Sequence, residues 1–305
     1  MRFTVVLTAA YPRIARDLLS PHFDVVEHPT EHGRTEEDMI TLLAEADAAI
    51  TLLSDPITRK VLEANPNLRL VANHAVGYNN IDVDAARELG ILVTNTPGVL
   101  TEATADLTMA LLLAVTRRVV EGDRHLRADG RCEWDPLAFL GASLQDKHLG
   151  ILGMGRIGTA VATRARAFGM HVTGVRRGES PAGLLATSDI VSLHAPLTPD
   201  THHILNAATL ATMKPGSYLI NTSRGPLVEE SALCDALEHG PLRGAGLDVY
   251  EHEPAVNPRL LAMPNVVVLP HIGSATDEAR TAMSRIAATN VLLFLQGQEP
   301  ITRVV

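Results

Sequence analysis

The chain has 305 residues, of which 46% are hydrophobic and 20% are charged, and its formal net charge is −9. This length exceeds what a single hydrophobic core usually serves, so two domains of about 100 to 200 residues each are expected. The acidic balance leaves no basic face for a phosphate backbone, so no nucleic acid partner is expected.

The first half of the chain alternates short β-branched runs with helical patterns. Helices are expected near residues 12–19, 35–44, 58–64 and 82–89, and strands at 3–8, 23–27, 48–53, 68–73 and 91–95. Alternating strands and helices imply a parallel sheet that is covered on both faces. A first domain of about five strands is therefore predicted.

A long helix follows, with Thr101 as a suitable N-cap, and is expected to continue to about residue 120. A second alternating series then provides six strand candidates, at 148–152, 171–175, 189–194, 217–221, 244–249 and 266–270. Six strands are the number in a full dinucleotide-binding sheet. The last helix covers about residues 275–294, and the tail after Pro300 is expected to return to the first domain. The predicted fold is α/β, with two doubly wound parallel-sheet domains at 1–98 with 284–305 and at 99–283.

The cysteines and the apolar runs indicate where in the cell the protein is expected. Cys132 and Cys234 lie far apart without a CxxC motif, so neither a disulfide framework nor a metal site is expected. The most apolar helix candidate, residues 107–115, is shorter than the roughly 20 residues that cross a bilayer. We therefore expect a soluble cytoplasmic protein with no membrane partner.

Gly153, Gly155 and Gly158 form a Gly-x-Gly-x-x-Gly motif between the strand HLGIL and a helical pattern. In that context the glycines allow a tight turn, room for a pyrophosphate and close packing of the helix on the strand. The alternative is a glycine turn that binds nothing, which the flanking strand and helix disfavour. The motif predicts a dinucleotide site.

The cofactor type depends on the end of the second strand of this domain. An NAD site usually has an acidic residue there, about 20 positions after the glycine motif, which binds the ribose 2′-hydroxyl. Here the strand ends in Arg176 and Arg177. Guanidinium groups can bind a 2′-phosphate, so NADP is the expected cofactor and NAD the alternative. Two solvated surface arginines are the competing interpretation, and the nearby Glu179 weighs against NADP.

Three further strands end in residues that can carry chemistry. Arg224 follows SYLIN, Glu251 and Glu253 follow GAGLDVY, and His271 follows VVVLP. Ligands of doubly wound sheets bind outside the carboxyl ends of the strands. Reduction of a 2-oxo acid needs a cation for the carboxylate and a proton donor for the carbonyl oxygen. We assign Arg224 as the cation, His271 as the acid/base and Glu253 as its orienting carboxylate, with Glu251 as the rival.

Each of these residues also has a simpler explanation. An arginine after a strand is usually a surface residue, and a lone histidine is more often structural than catalytic. The occurrence of all three on successive strand ends favours a site. The other histidines, among them His203, lie in polar segments and are interpreted as solvated.

Six stretches of the sequence carry a resemblance to a known family. They are HAVGYNNIDVDAARELGILVTNTPGVLTEATADLTMALLL, LGILGMGRIG, SLHAPLTPDTHHIL, MKPGSYLINTSRGPLVEESAL, GAGLDVYEHEP and LPHIGSAT. Across nearly the whole chain the sequence resembles the D-isomer-specific 2-hydroxyacid dehydrogenases, and it is most like the glyoxylate and hydroxypyruvate reductases. The resemblance implies a Rossmann dinucleotide-binding domain, a flavodoxin-like substrate domain and an enzyme that reduces a small 2-oxo acid.

The resemblance also implies roles for individual residues. It supports Arg224, Glu253 and His271 as the catalytic set, with Arg224 and His271 also contacting substrate. The backbone at Val76 and Gly77 would hold the substrate carboxylate. Further cofactor contacts, beyond the glycines and arginines named above, are implied at Thr104, Arg156, Ile157, Ala195, Pro196, Thr222, Ser223, Asp248 and Gly273.

The sequence also predicts the oligomeric state. A homodimer is expected, built around the apolar helix from Thr101 and the segment with Trp134, the one tryptophan of the chain. Because family relatives include corepressors, a non-catalytic protein that senses a dinucleotide is the alternative function. The intact set of Arg224, Glu253 and His271 favours the enzyme.

Overall fold

The computed structural model describes residues 2–305 and contains eleven β-strands in two fully parallel sheets. Each sheet belongs to its own compact unit. The first unit comprises the chain up to Leu100 together with Ala275–Val305, and the second comprises Thr101–Ser274. The prediction of two doubly wound α/β domains is confirmed.

The first unit has a five-stranded sheet with the order β2-β1-β3-β4-β5, the order of flavodoxin-like folds. Its elements are β1 (Thr4–Leu7), α1 (Ile14–Leu19), β2 (Asp24–Glu27), α2 (Glu36–Leu43), β3 (Ala48–Thr51), α3 (Arg59–Ala64), β4 (Leu70–Asn73), α4 (Val83–Glu88) and β5 (Leu92–Thr94). The second unit contributes the elements that follow in chain order, and the chain then returns to the first unit.

Side-chain alternation along the strands covers both faces of the first sheet. Val5 and Leu7 pack on one face, while Val6 between them packs on the other, as the period of two in a strand requires. The face of Val5 is covered by α1 and by the last helix, α12 (Asp277–Leu295), which contributes Val291. The face of Val6 is covered by α2, α3 and α4.

The predicted domain boundary at 283/284 falls within α12. The helix begins at a cap, since the Thr276 hydroxyl accepts a hydrogen bond from the Ala279 N–H. The boundary between the units lies before this cap, so the whole helix belongs to the first unit, and its residues from Ala287 onward pack in the core of that unit.

The second unit has a six-stranded sheet with the order β11-β10-β9-β8-β6-β7. Its elements are α5 (Thr101–Thr116), α6 (Val119–Asp129), β6 (His148–Leu152), α7 (Arg156–Ala167), β7 (His171–Val175), α8 (Ala182–Thr187), β8 (Ile190–Leu193), α9 (Ala207–Leu210), β9 (Ser217–Asn221), a 3₁₀ turn (Gly225–Leu227), α10 (Glu230–Glu238), β10 (Leu242–Leu247), α11 (Pro258–Ala262) and β11 (Val266–Val268). In the commonest dinucleotide-binding sheet a third strand lies beyond the second. Here β7 is the edge strand, and the chain passes through the short α8 to β8 on the far side of β6.

The long helix predicted from Thr101 to about residue 120 is broken into two. Arg118 has a φ of +54°, in the left-handed region, and separates α5 from α6. Its guanidinium Nε donates to Glu121 at 2.7 Å, which fixes the start of α6. Much of α5 is buried in its own unit, with Met109, Leu111 and Leu112 in the core against α7 and β10. Among residues 2–305, no helix has both the length and the apolar composition needed to cross a membrane.

Candidate active site

Three adjacent strands of the second sheet bring polar side chains to one edge. Arg224 follows β9, Glu253 follows β10 and His271 follows β11, and these strands are neighbours in the order β11-β10-β9. Because all the strands are parallel, their carboxyl ends meet at the same edge of the sheet. The three residues predicted to be catalytic are thus presented together.

His271 and Glu253 form a direct pair. His271 Nδ1 lies 2.8 Å from Glu253 Oε2, and both side chains are partly exposed. The other carboxylate oxygen, Oε1, accepts the Tyr250 N–H at 3.0 Å. Burial raises the pKa of Glu253, but the hydrogen bond and charge of His271, with smaller effects of the Tyr250 N–H and of Arg224, outweigh burial and hold the pKa below its usual value. Glu253 is therefore an ionised acceptor that orients the imidazole.

The rival carboxylate, Glu251, has other partners. His203 Nε2 lies 2.6 Å from Glu251 Oε1, and Glu251 Oε2 accepts the Glu230 N–H at 2.9 Å. Glu230 returns the contact by accepting the Glu251 N–H at 2.7 Å. His203, interpreted from the sequence as solvated, is thus half-buried and in hydrogen-bond contact with Glu251, which lies opposite its ring.

Arg224 is held in place by tight packing of two loops. A Cβ atom on Gly225 would lie 1.7 Å from the Tyr250 carbonyl oxygen, so only glycine allows the loops after β9 and β10 to approach this closely. Asn221 Nδ2 donates to the Arg224 carbonyl at 2.9 Å, and the Arg224 guanidinium donates to the Ser223 carbonyl at 2.7 Å. Burial lowers the pKa of Arg224, and the nearby Glu253 carboxylate acts in the opposite direction.

The loop that carries His271 is fixed by a buried carboxylate. His271 has a φ of +54°, which is unusual for a residue with a side chain and marks a strained position. Asp248 accepts the N–H groups of Ile272 at 2.8 Å and Gly273 at 2.7 Å. Thr104 Oγ1 donates to the Gly273 carbonyl at 3.0 Å. Burial raises the pKa of Asp248, although these N–H groups and His271 act to lower it.

The glycine motif meets the requirements of a dinucleotide pyrophosphate. Gly153 has a φ of +101°, and a Cβ there would lie 2.5 Å from the carbonyl carbon of His194. A Cβ on Gly158 would lie 2.2 Å from the Gly153 carbonyl oxygen, so this glycine allows close packing of helix on loop. Gly155 faces open space, since a Cβ at this position would have no heavy atom of the surrounding residues within 4 Å. As the N-cap of α7 it makes no side-chain cap, which leaves the helix N–H groups for an anion.

The remaining residues implied as cofactor contacts lie at the start of α7, after the ends of β8 and β9, and in α5. Arg156 and Ile157 form the first turn of α7, and Ser223 Oγ donates to the Ala195 carbonyl at 2.6 Å, next to Pro196. Thr222 is buried, and its hydroxyl lies 2.8 Å from that of Thr108, which in turn donates to the Thr104 carbonyl.

Arg176 and Arg177 follow the edge strand β7 and are both exposed. The Arg176 N–H donates to Glu179 Oε2 at 2.6 Å. A carboxylate therefore lies at the end of β7, close to the two guanidinium-bearing residues.

The first unit carries the other implied substrate contact. Val76 and Gly77 lie in the loop after β4 and are half-buried. Their carbonyl groups accept side-chain amides of Asn95 and Asn73, both at 2.8 Å.

Two residues of the site were missed by the sequence analysis. Tyr250 binds Glu253 through its N–H and donates its hydroxyl to the Leu269 carbonyl at 2.7 Å, two residues before His271. Asn221 holds the Arg224 carbonyl. Only their place in the sequence could have identified them, because each lies at or just beyond the end of a strand that also presents a candidate catalytic residue.

This fold and these strand-end residues define a nicotinamide-dinucleotide oxidoreductase, and the family comparison agrees. Residues 109–273 match the model of the D-isomer specific 2-hydroxyacid dehydrogenase, NAD binding domain, which is more than half of the chain. A glyoxylate reductase of Thermococcus litoralis is 47% identical over 98% of this chain and 96% of its own length. The chain belongs to the D-isomer specific 2-hydroxyacid dehydrogenases and uses a nicotinamide dinucleotide.

Solved structures agree along the whole chain. A protein of Thermus thermophilus has a TM-score of 0.93 and 44% identity, covering 99% of this chain and 100% of its own. An NADPH-dependent glyoxylate/hydroxypyruvate reductase of Sinorhizobium meliloti, in complex with NADP and malonate, has a TM-score of 0.85 and 32% identity, covering 100% and 97%. The alternative of a non-catalytic dinucleotide sensor receives no support from these comparisons.

Proposed function

We propose that this enzyme reduces a small 2-oxo acid of the glyoxylate or hydroxypyruvate type to the D-2-hydroxy acid, or catalyses the reverse oxidation. The observation that carries the proposal is the His271–Glu253 pair at 2.8 Å, with Arg224 on the neighbouring strand end. The names of the similar enzymes from Thermococcus litoralis and Sinorhizobium meliloti supply the substrate class.

Each side chain of the set has a distinct task. The Arg224 guanidinium would bind the substrate carboxylate and polarise its carbonyl group, as a cation next to developing oxyanion charge does. Because Glu253 engages His271 at Nδ1, the proton passes between Nε2 and the substrate oxygen. Glu253 holds the imidazole in that tautomer and stabilises its protonated form. The Val76 and Gly77 backbone would bind the substrate carboxylate.

The dinucleotide would be held by the second unit, which makes it the dinucleotide-binding domain, with the first unit as the substrate domain. Gly153, Gly155 and Gly158 with the first turn of α7 would bind its pyrophosphate. The nicotinamide ring, when bound, supplies the hydride. Thr104, Thr222, Asp248 and Gly273 are proposed to surround that ring. The support is that Thr104 and Asp248 both bind Gly273, and that Thr222 is linked to Thr104 through the Thr108 hydroxyl.

NADP is the proposed preferred cofactor. The support is Arg176 with Arg177 at the end of β7, where an NAD enzyme usually has a carboxylate. Both arginines are exposed, and the Glu179 carboxylate is nearby, so the preference is modest.

A cytoplasmic homodimer is the proposed state of the protein. Much of α5 is buried within its own unit and is not free to form an interface. We therefore propose that the dimer interface is formed by α6 and the segment after it. Trp134 and Leu137 there are 87% and 76% exposed, and Val119, Leu126 and Leu140 are exposed as well. Apolar side chains grouped in this way mark a protein interface.

The test is an assay of a panel of 2-oxo acids, including glyoxylate, hydroxypyruvate, pyruvate and a bulkier homologue, each with NADPH and with NADH. Saturable oxidation of the dinucleotide with glyoxylate or hydroxypyruvate is expected. Absence of turnover with every 2-oxo acid, and with every D-2-hydroxy acid in the reverse direction, would overturn the proposal.

A further inference from the structure

The loop after β4 is held by three donors, one for each of three successive carbonyl groups. The Ala75 carbonyl accepts the Thr96 N–H at 2.9 Å. The Val76 carbonyl accepts Asn95 Nδ2 at 2.8 Å, and the Gly77 carbonyl accepts Asn73 Nδ2 at 2.8 Å. Asn73 is the last residue of β4, and Asn95 and Thr96 follow β5, so two adjacent strand ends hold the loop.

This arrangement also determines where the N–H groups of the loop point. In a trans peptide the C=O and N–H bonds lie on opposite sides of the chain, and the cis bond of the described residues is Glu253–Pro254. With the three carbonyls facing their donors, the N–H groups of Val76, Gly77 and Tyr78 point away from those donors. None of these three N–H groups makes a hydrogen bond within residues 2–305. Successive free N–H groups of this kind form an anion-binding nest.

We infer that Asn73 and Asn95 are positioning residues that set this nest for the substrate carboxylate, and that the Tyr78 N–H is its third donor. The inference rests on the proposed function, which supplies the carboxylate. Neither asparagine touches the substrate in this scheme. Each acts through the peptide group whose carbonyl it binds.

The surroundings of the two asparagines favour a positioning role over simple packing. Asn95 is itself fixed at its backbone, where the Thr302 hydroxyl donates to the Asn95 carbonyl at 2.6 Å and the Asn95 N–H donates to the Thr302 carbonyl at 3.3 Å. Asn73 is fully buried, next to Asn80, which donates to the Leu52 carbonyl at 3.1 Å. The task requires an amide, because a carboxylate of the same shape would repel the carbonyl oxygen that it faces.

The test compares Asn95→Ala, Asn95→Asp and Asn73→Ala with the unaltered enzyme. Measured quantities are kcat, the KM for the 2-oxo acid, the KM for the dinucleotide, and the inhibition constant of oxamate, an unreactive carboxylate of the same shape. Thr94→Val is the matched control, because the Thr94 hydroxyl is buried beside Asn95 and has no hydrogen-bond partner among the described residues. A thermal unfolding curve for each variant verifies that it is folded.

Each alanine variant is expected to raise the KM for the 2-oxo acid and the oxamate inhibition constant by about three- to tenfold, the factor of one lost hydrogen bond. Asn95→Asp should raise both further than Asn95→Ala. The dinucleotide KM and the control variant should stay within about twofold of the unaltered enzyme.

Two failures are distinguishable. If the unaltered enzyme neither reduces a 2-oxo acid nor binds oxamate, the proposed function fails, and the inference with it. If the unaltered enzyme does both, the inference alone is overturned by folded alanine variants with unchanged constants, or by Asn95→Asp matching or exceeding the affinity of Asn95→Ala. Should Asn95→Asp not fold, the two alanine variants decide.

Discussion

Replacing Arg176 by Asp should reverse the cofactor preference of this enzyme. Arg176 stands where NAD enzymes carry the carboxylate that binds the ribose 2′-hydroxyl. The substitution removes a cation that attracts the 2′-phosphate of NADP and restores the carboxylate that NAD uses. The change lies at the adenosine end of the cofactor, so the chemistry of His271, Glu253 and Arg224 is untouched.

The exposure of the two arginines sets the magnitude. An exposed ion pair contributes about 0.2–1 kcal/mol, so Arg176 and Arg177 together favour NADPH by about 0.4–2 kcal/mol. This corresponds to a ratio of kcat/KM between NADPH and NADH of about two- to thirtyfold in the unaltered enzyme. Glu179, whose carboxylate accepts the Arg176 N–H, opposes the 2′-phosphate. The variant Glu179→Gln keeps an acceptor there and should therefore increase the ratio.

The assay is kcat/KM for both dinucleotides at a saturating 2-oxo acid, at two salt concentrations. Arg166→Ala is a control for general charge loss, because Arg166 is an exposed cation in the last turn of α7. The control should leave the ratio unchanged, and added salt should reduce the ratio of the unaltered enzyme. A higher kcat/KM with NADH than with NADPH in the unaltered enzyme would refute this interpretation of the arginines.

Four further outcomes are expected. Arg224→Ala should lower kcat/KM for 2-oxo acid reduction by on the order of 10³-fold or more, and wild-type kinetics in that variant would contradict its role. Glu253→Gln should lower kcat for 2-oxo acid reduction, because the His271 imidazole loses the carboxylate that orients it, and unchanged kinetics would return attention to Glu251. The pKa of Glu253 is depressed in the folded protein, so the Glu253 carboxylate stabilises the fold at a pH above the ordinary glutamate pKa. This stabilisation is lost as the pH falls through the depressed pKa, and Tm should therefore fall in acid. The acid decrease in Tm should be smaller in Glu253→Gln. Light scattering should give a dimer for the unaltered protein and a monomer for Trp134→Glu, and a monomer at micromolar concentration in the unaltered protein would contradict the dimer.

Local patterns were sufficient to predict the strands. Each of the eleven predicted strand positions overlaps an observed strand, because fully covered parallel strands are short β-branched runs with turn residues on both sides. The gathering of Arg224, Glu253 and His271 also followed from sequence, since parallel strands place their carboxyl ends at one edge.

Other features depend on contacts between distant residues and left no local signal. The sequence favoured Glu253 but left Glu251 as a rival, and the two are distinguished by their partners, His271 and His203, which come from different loops. The break between α5 and α6 is a single left-handed residue, Arg118, whose sequence neighbours are compatible with continued helix. The position of β7 at the edge of the sheet is set by the connection from β7 through the short α8 to β8, and strand patterns alone do not predict where that connection leads.

The return of the chain to the first unit affects the order in which the protein can fold as it is synthesised. One face of the first sheet is covered by α12, and the edge strand β5 pairs with the final residues, where the Val304 N–H donates to the Val93 carbonyl at 2.8 Å. The second unit, by contrast, is continuous in sequence. On the ribosome, therefore, the second unit can complete its core before α12 has been made, while the first sheet still lacks this helix on one of its apolar faces. A chain that lacks α12 would leave Val5, Leu7 and Ile50 on a sheet face without this helix, and such exposed apolar surface is prone to aggregation.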